Sequence, residues 1–299
     1  MDTFQLSPTL TGLSWAIDKP KAIVAIAHGM AEHAARYDEF ARALNRAGFL
    51  VQAIDHLGHG AQIKQNQKGH WPHDGFDQCV TNMHTWIQAL HTTYKVPVFL
   101  LGHSMGSFFA QAYVSRYSES IAGCILSGTN APNAMAKMGS ILANVLFFAA
   151  DRTKPNGFLN NLSFGSFNKP FAPNRTEFDW LSRDEKRVDA YVSDPWCGYV
   201  CTTGFFQSFL KGLSKLSTPS ELAAIRKDLP LYLFAGSLDP VGGQGKGVKR
   251  MAELYREAGI SDVELRLYAE GRHEMLNEIN RNDVYSDCIH WLTHHLPTA

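Results

Sequence analysis

Ser104 stands in Gly102-His103-Ser104-Met105-Gly106, straight after the apolar run Val96-Pro97-Val98-Phe99-Leu100-Leu101 and just ahead of Ser107-Phe108-Phe109-Ala110-Gln111-Ala112-Tyr113. A buried-strand pattern, a glycine-flanked serine and a helical stretch in that order predict a nucleophile elbow. The serine would sit on a sharp strand-to-helix turn with its hydroxyl held clear of the sheet. The flanking glycines permit close backbone approach, and the helix N-terminus directs positive potential at a developing oxyanion. A lone serine hydroxyl is a weak nucleophile, so it needs a base, and the base needs an orienting acid. Asp239 and His273 supply them in the chain order serine, acid, histidine that an elbow-bearing sheet uses. Asp239 turns off the end of the apolar run Leu229–Gly236, with Pro240 behind it. His273 follows the alternating run Val263–Tyr268 through Gly271-Arg272. Both are expected at the carboxyl ends of parallel strands, the edge where such sheets bind and react.

An acyl-transfer site also needs two backbone N–H donors for the oxyanion. The apolar run Ala22–Ala27 ends in His28-Gly29-Met30. The expected donors are the N–H groups of Met30 and of Met105, the residue after the serine. Gly29 lets this loop approach closely, and His28 anchors it.

Six ordered motifs carry a resemblance: His28-Gly-Met-Ala-Glu-His33-Ala-Ala-Arg-Tyr37, Asp55-His-Leu-Gly-His-Gly60, Gly102–Gly106, Asp194-Pro-Trp-Cys-Gly198, Asp239-Pro-Val-Gly-Gly243 and Gly271–Glu278. In these the chain resembles bacterial lysophospholipases and monoacylglycerol lipases, α/β-hydrolases of the serine-aminopeptidase-like S33 group, over residues 13 to 295. Leu57 stands where the family usually has arginine, and Gln62 follows Ala61 in a place that departs from the usual pattern. The resemblance implies an α/β-hydrolase fold with an inserted, mainly helical cap, and a monoacyl lipid ester as substrate. It makes Glu32 and Arg36 neighbours of the polar head of the ester. His28, Gly29, His103 and Trp196 complete the candidate substrate contacts. Two other activities share the group's motifs, a general short- or medium-chain carboxylesterase and an aminopeptidase. The latter would need a carboxylate cluster for an α-ammonium group, with Glu177, Asp179, Asp184 and Glu185 as the acids at hand. A binding protein without catalysis usually lacks a triad member, and here all three are present.

The elements that must position these residues alternate up to residue 127. Strands are predicted at 22–27, 50–54, 97–101 and 121–127, with helices at about 35–47, 77–94 and 105–117. Right-handed crossovers between them give a mostly parallel sheet with helices on both faces. From about 129 to 226 the pattern becomes irregular and rich in Asn, Pro, Gly and aromatics, with amphipathic pieces at 138–148, 178–187 and 205–216. This predicts a cap (129–226) between two parts of one core, 1–128 and 227–299, the last helix covering about 274–294. An apolar cap over the elbow would set acyl preference and could touch a membrane or micelle surface.

Composition excludes several classes. The 299 residues carry 28 basic and 28 acidic side chains, so no basic excess exists to bind nucleic acid. Five irregularly spaced cysteines and a polar amino terminus point to a cytoplasmic protein, with peripheral membrane association open to it. The pairs His56/His59 and His70/His73 lack further ligands at metal-binding spacing. No phosphate loop or dinucleotide fingerprint occurs, and a triad needs no cofactor.

Overall fold

The structure is a computed structural model that describes residues 1–7, 10–61, 63–64, 67–131 and 150–297. Eight strands form one sheet: β1 (Asp2–Ser7), β2 (Leu10–Trp15), β3 (Ala22–Ala27), β4 (Phe49–Asp55), β5 (Val98–His103), β6 (Gly123–Ser127), β7 (Leu231–Gly236) and β8 (Val263–Tyr268). Their spatial order is β1-β2-β4-β3-β5-β6-β7-β8. From β4 to β8 every neighbour pair is parallel. β1 and β2 join antiparallel and were not anticipated, although Leu10, Gly12 and Ser14 alternate in burial with Thr11 and Leu13.

The central strands are buried on both faces, as their near-continuous apolar composition requires. On one face lie α2 (Gly75–Tyr94) and α3 (Met105–Tyr117), contributing Phe76, Met83, Trp86, Phe109 and Tyr113. The other face is covered by α1 (Asp38–Arg46), with Phe40 and Leu44, and by the final helix (Arg281–His294), with Val284 and Trp291. That helix begins seven residues later than the expected 274. Residues 275–277 form a 3₁₀ turn, and the Glu278 carboxylate accepts the N–H groups of Arg272 and Arg183, which holds the chain out of helical register. A helix at Lys246–Glu257, also unanticipated, buries Val248, Met251, Ala252 and Tyr255 at helical spacing.

Between β6 and β7, paired neighbours in the sheet, the described residues 128–131 and 150–230 lie outside the sheet. The described part of this excursion carries helices Gly157–Phe164, Glu185–Ser193, Thr203–Leu213 and Pro219–Ala224. The expected piece at 178–187 resolves into a 3₁₀ turn, Asp179–Leu181, and the Glu185 helix, whose start is fixed by the Asp184 side chain accepting from Lys186 and Arg187 N–H. The expected piece at 138–148 lies outside the described residues.

Candidate active site

β5 delivers Ser104 into the turn before α3 with φ 51° and ψ −117°, a strained backbone for any residue with a side chain. The turn is fixed by Ser104 N–H donating to Ser127 O (2.9 Å) and by the Ser107 hydroxyl donating to Ser104 O (2.6 Å). A Cβ at Gly106 would lie 2.1 Å from Ala27 O, and one at Gly102 2.4 Å from Gly106 O. Both contacts are with backbone, so only glycine lets α3 seat against β3 and β5. Met105 opens α3, where the first N–H groups have no acceptor inside the helix.

His273 Nδ1 lies 3.0 Å from both Asp239 carboxylate oxygens, and the two residues are 2 % and 0 % exposed. Asp239 Oδ1 also accepts Val241 N–H at 2.9 Å. Burial alone would lower the histidine's pKa, but the Asp239 carboxylate outweighs it and holds the imidazole above its ordinary value. With Nδ1 turned to Asp239, Nε2 is the ring atom left to act on substrate.

Ser104 and His273 line one cavity of about 390 Å³ together with Gly29, Met30, Ala31, Glu32, His103 and Glu274. Its other walls come from the excursion between β6 and β7: Asn160, Asn161, Phe164, Asn168, Glu177, Phe178, Trp180, Leu181, Tyr191 and Tyr199. The cavity therefore sets the serine against a wall that mixes aromatic rings (Phe164, Phe178, Trp180, Tyr191 and Tyr199) with the polar Asn160, Asn161, Asn168 and Glu177.

The family model described as serine aminopeptidase, S33, matches residues 18–280. The chain belongs to this family. It is 31% identical to the monoacylglycerol lipase of Mycolicibacterium smegmatis over 94% of this chain and 92% of that one. The monoglyceride lipase of Rattus norvegicus is also 31% identical, over 94% and 85%. A thermostable carboxyl esterase from Bacillus coagulans, solved with glycerol, superposes with a TM-score of 0.87 at 25% identity, covering 97% of this chain and 99% of that chain. The sheet order and elbow are those of an α/β-hydrolase, as the S33 resemblance implied.

Of the candidate substrate contacts in this S33 chain, Gly29, Glu32 and His103 line the cavity, and Met30 joins them. His28 does not, and its anchoring role is visible in its bonds. Its Nε2 accepts His56 N–H (3.1 Å), which leaves the proton on Nδ1 to donate to Gly29 O (2.7 Å). Arg36 also lies behind the wall. It spans Glu32 (2.6 Å) and both oxygens of Glu274 (2.6 and 2.7 Å). Glu32 in turn accepts Gly29 N–H (2.5 Å) and the Tyr37 hydroxyl (2.9 Å). The i,i+4 pair is largely shielded from solvent, its side chains 11% and 4% exposed, and is shared with Glu274, 238 residues onward. Trp196 is not among the cavity-lining residues. Its ring lies under the Lys68 ammonium, 4.4 Å away, because the turn after Asp194 points it outward.

Trp180 had no signal in the sequence beyond its aromaticity. Its ring centroid is 5.1 Å from that of His273, and its carbonyl accepts His273 N–H at 3.3 Å. Leu181 O accepts Glu274 N–H at 2.7 Å, and the Ser182 hydroxyl donates to Asn277 O at 2.9 Å. The histidine loop is thus held by residues 180–182. Among the described residues, the groups that bring three metal-ligating atoms together are His33/Asp194/Cys197 and Asp262/Glu264/His295, and neither uses His56, His59, His70 or His73.

Proposed function

We propose that the protein hydrolyses carboxylic esters of monoacyl lipids, monoacylglycerols foremost, through an acyl-enzyme. The observation that carries this reading is the convergence of Ser104 and the His273–Asp239 pair on one cavity walled in part by the aromatic rings of Phe164, Phe178, Trp180, Tyr191 and Tyr199. The identity to monoacylglycerol lipases over nearly the whole chain supports it. Ser104 Oγ adds to the ester carbonyl carbon while His273 Nε2 takes its proton. The Met30 and Met105 N–H groups receive the negative oxygen. The carbonyl reforms, the bond to the alcohol breaks, and His273 returns the proton to the departing glycerol. Water, deprotonated by His273, then releases the fatty acid and restores Ser104.

In this reading residues 129–226 are a cap on a core made of 1–128 and 227–299. Phe158 and Leu162, each 58% exposed at i,i+4 on one short helix, support contact of that cap with a lipid surface. Among the described residues no helix is long and apolar enough to cross a membrane. The five cysteines are free, which supports a reducing, cytoplasmic working place. The aminopeptidase alternative is weaker. Asp179 is bound by Thr176 and Arg175 N–H, Asp184 by Arg281, and the Glu32 and Glu274 charges are met by Arg36; Glu177 alone of the cap acids considered lines the cavity. Initial rates on monoacylglycerols, lysophospholipids, p-nitrophenyl esters and aminoacyl amides test the proposal. Faster cleavage of the amides would overturn it.

Because only neutral His273 accepts the serine proton and its pKa is raised, kcat/KM should rise with pH through one ionisation lying above 6.5, the ordinary histidine value. A midpoint below 6.5 in the pH–rate profile would place the base elsewhere.

Acyl preference should be set by the aromatic wall. Each buried methylene adds up to ~0.8 kcal/mol, roughly fourfold in kcat/KM, until the cavity is filled. Phe178→Ala should shift the chain length at which this climb stops, with acetyl ester turnover kept within about tenfold. Trp196→Ala, outside the cavity lining, should leave the profile where it was. A series of p-nitrophenyl esters measures both.

A further inference from the structure

We propose that His33, Asp194 and Cys197 form a binding site for one soft divalent cation of the zinc class, separate from the triad. His33 Nε2 lies 2.8 Å from Asp194 Oδ2, and these two atoms and the Cys197 sulfur all lie within 4.8 Å of one another. The turn Asp194-Pro195-Trp196-Cys197 builds the grouping. Cys197 N–H donates to Asp194 O at 3.0 Å, and Trp196 N–H donates to Asp194 Oδ1 at 2.8 Å. That second bond fixes the carboxylate with its other oxygen toward His33. One nitrogen, one oxygen and one sulfur donor suit a tetrahedral ion with water as fourth ligand, and the thiolate disfavours magnesium or calcium, which take oxygen.

The charges around the site favour a cation. Cys197 has Arg36 near it, but also Glu32, Asp194 and Glu274, so the neighbourhood carries more negative than positive charge. Without metal, burial keeps the thiol protonated. Binding therefore breaks the His33–Asp194 hydrogen bond, shifts the imidazole proton from Nε2 to Nδ1, forms nitrogen, oxygen and sulfur bonds to the ion and releases the thiol proton to water. An entry route exists, since the Asp194 side chain is 27% exposed. The site joins two parts of the molecule. His33 follows the loop that carries Gly29 and Met30, while Cys197 precedes Gly198, whose N–H donates to Ala31 O at 3.0 Å. A bound ion would cross-link that loop to the excursion between β6 and β7.

The test is a cobalt(II) titration of the full, metal-stripped chain, read by absorption and needing no catalytic activity. One equivalent should give a sulfur-to-cobalt charge-transfer band with the visible bands of tetrahedral cobalt, all removed by added zinc. The melting temperature should rise by about 5 °C at a hundredfold excess of zinc over its Kd. Cys197→Ser should abolish the charge-transfer band, Cys201→Ser should keep it, and His33→Gln and Asp194→Asn should each weaken binding at least tenfold. No charge-transfer band in the parent protein, or the same band in Cys197→Ser, would overturn the proposal. If Cys197→Ser does not fold, His33→Gln decides, and unchanged affinity there overturns it equally.

Discussion

Ser104→Ala is expected to lower ester turnover by on the order of a millionfold, the scale on which loss of the nucleophile acts in serine hydrolases. The fold should survive, because the turn is held by backbone bonds to Ser127 and by the close contacts of Gly102 and Gly106, none of which uses the Ser104 hydroxyl. Stopped assays with concentrated protein, paired with thermal melts, measure both halves. Retention of more than about one percent of the parent rate would remove Ser104 from its role. Asp239→Asn should cost less, about ten-thousandfold, since the geometry stays and mainly the imidazole tautomer is wrong. Ser104→Gly gives a control on strain. The elbow's φ of 51° penalises a side chain by ~1–3 kcal/mol, against ~0.5–1 kcal/mol of extra unfolded-state entropy for glycine, so this inactive variant should melt higher than the alanine one.

The second large effect is loss of stability in mild acid. His28, His56, His59 and His103 are all at most 5 % exposed. Burial first, then the neighbouring His59, brings the His28 pKa to about 3. Burial brings His59 and His103 to about 4 and pushes His56 well below its usual value. Neither ring nitrogen of His56 has a hydrogen-bond partner among the described residues. In the unfolded chain each of these rings takes a proton near pH 6.5. Between pH 6.5 and about 4 the unfolded state therefore binds more protons than the folded one, and stability falls as pH falls. Glu32 extends the loss downward. Its burial would raise its pKa, but Arg36 outweighs this and brings it to about 2, so below about 4.5 the unfolded carboxylate protonates first. His273, held up by Asp239, and Asp55 and Glu221, raised by desolvation, act in the opposite sense. At ~1.4 kcal/mol per pKa unit, even half of the histidine displacement amounts to several kcal/mol, comparable with a domain's whole stability. Melting temperatures from pH 8 to 4 should drop steeply below 6.5, and His56→Leu should reduce the slope. A flat profile down to pH 4.5 would show that these rings take up protons where they lie.

The placement of the three proposed triad residues was legible because each follows a strand pattern that local composition sets: the runs ending at Leu101, Gly236 and Tyr268 are all strands in the structure, and each side chain lies just beyond one. The Lys246–Glu257 helix carries an equally plain local signal in the helical spacing of Val248, Met251, Ala252 and Tyr255. Other features had no local signal. Nothing near Arg36 indicates that its second partner is Glu274, and nothing near Trp180 indicates the His273 imidazole as its neighbour. Such pairings arise when separate parts of the chain meet, and their energies do not depend on sequence spacing. Trp196 shows the converse. An aromatic in a family motif suggested a substrate contact, yet the motif's hydrogen bonds serve the turn, and the ring points at Lys68.

The histidine loop takes its backbone acceptors from Trp180 and Leu181. In this protein, then, the boundary of what folds and the boundary of what reacts do not coincide. In the proposed mechanism the sheet can be complete while the base is unplaced, since the scaffold supplies the strand end and the excursion supplies the grip. Exchanging that excursion between relatives would trade more than a preference for one acyl chain over another. It would also replace the support beneath the proton carrier, so substrate range and intrinsic rate would have to be inherited together.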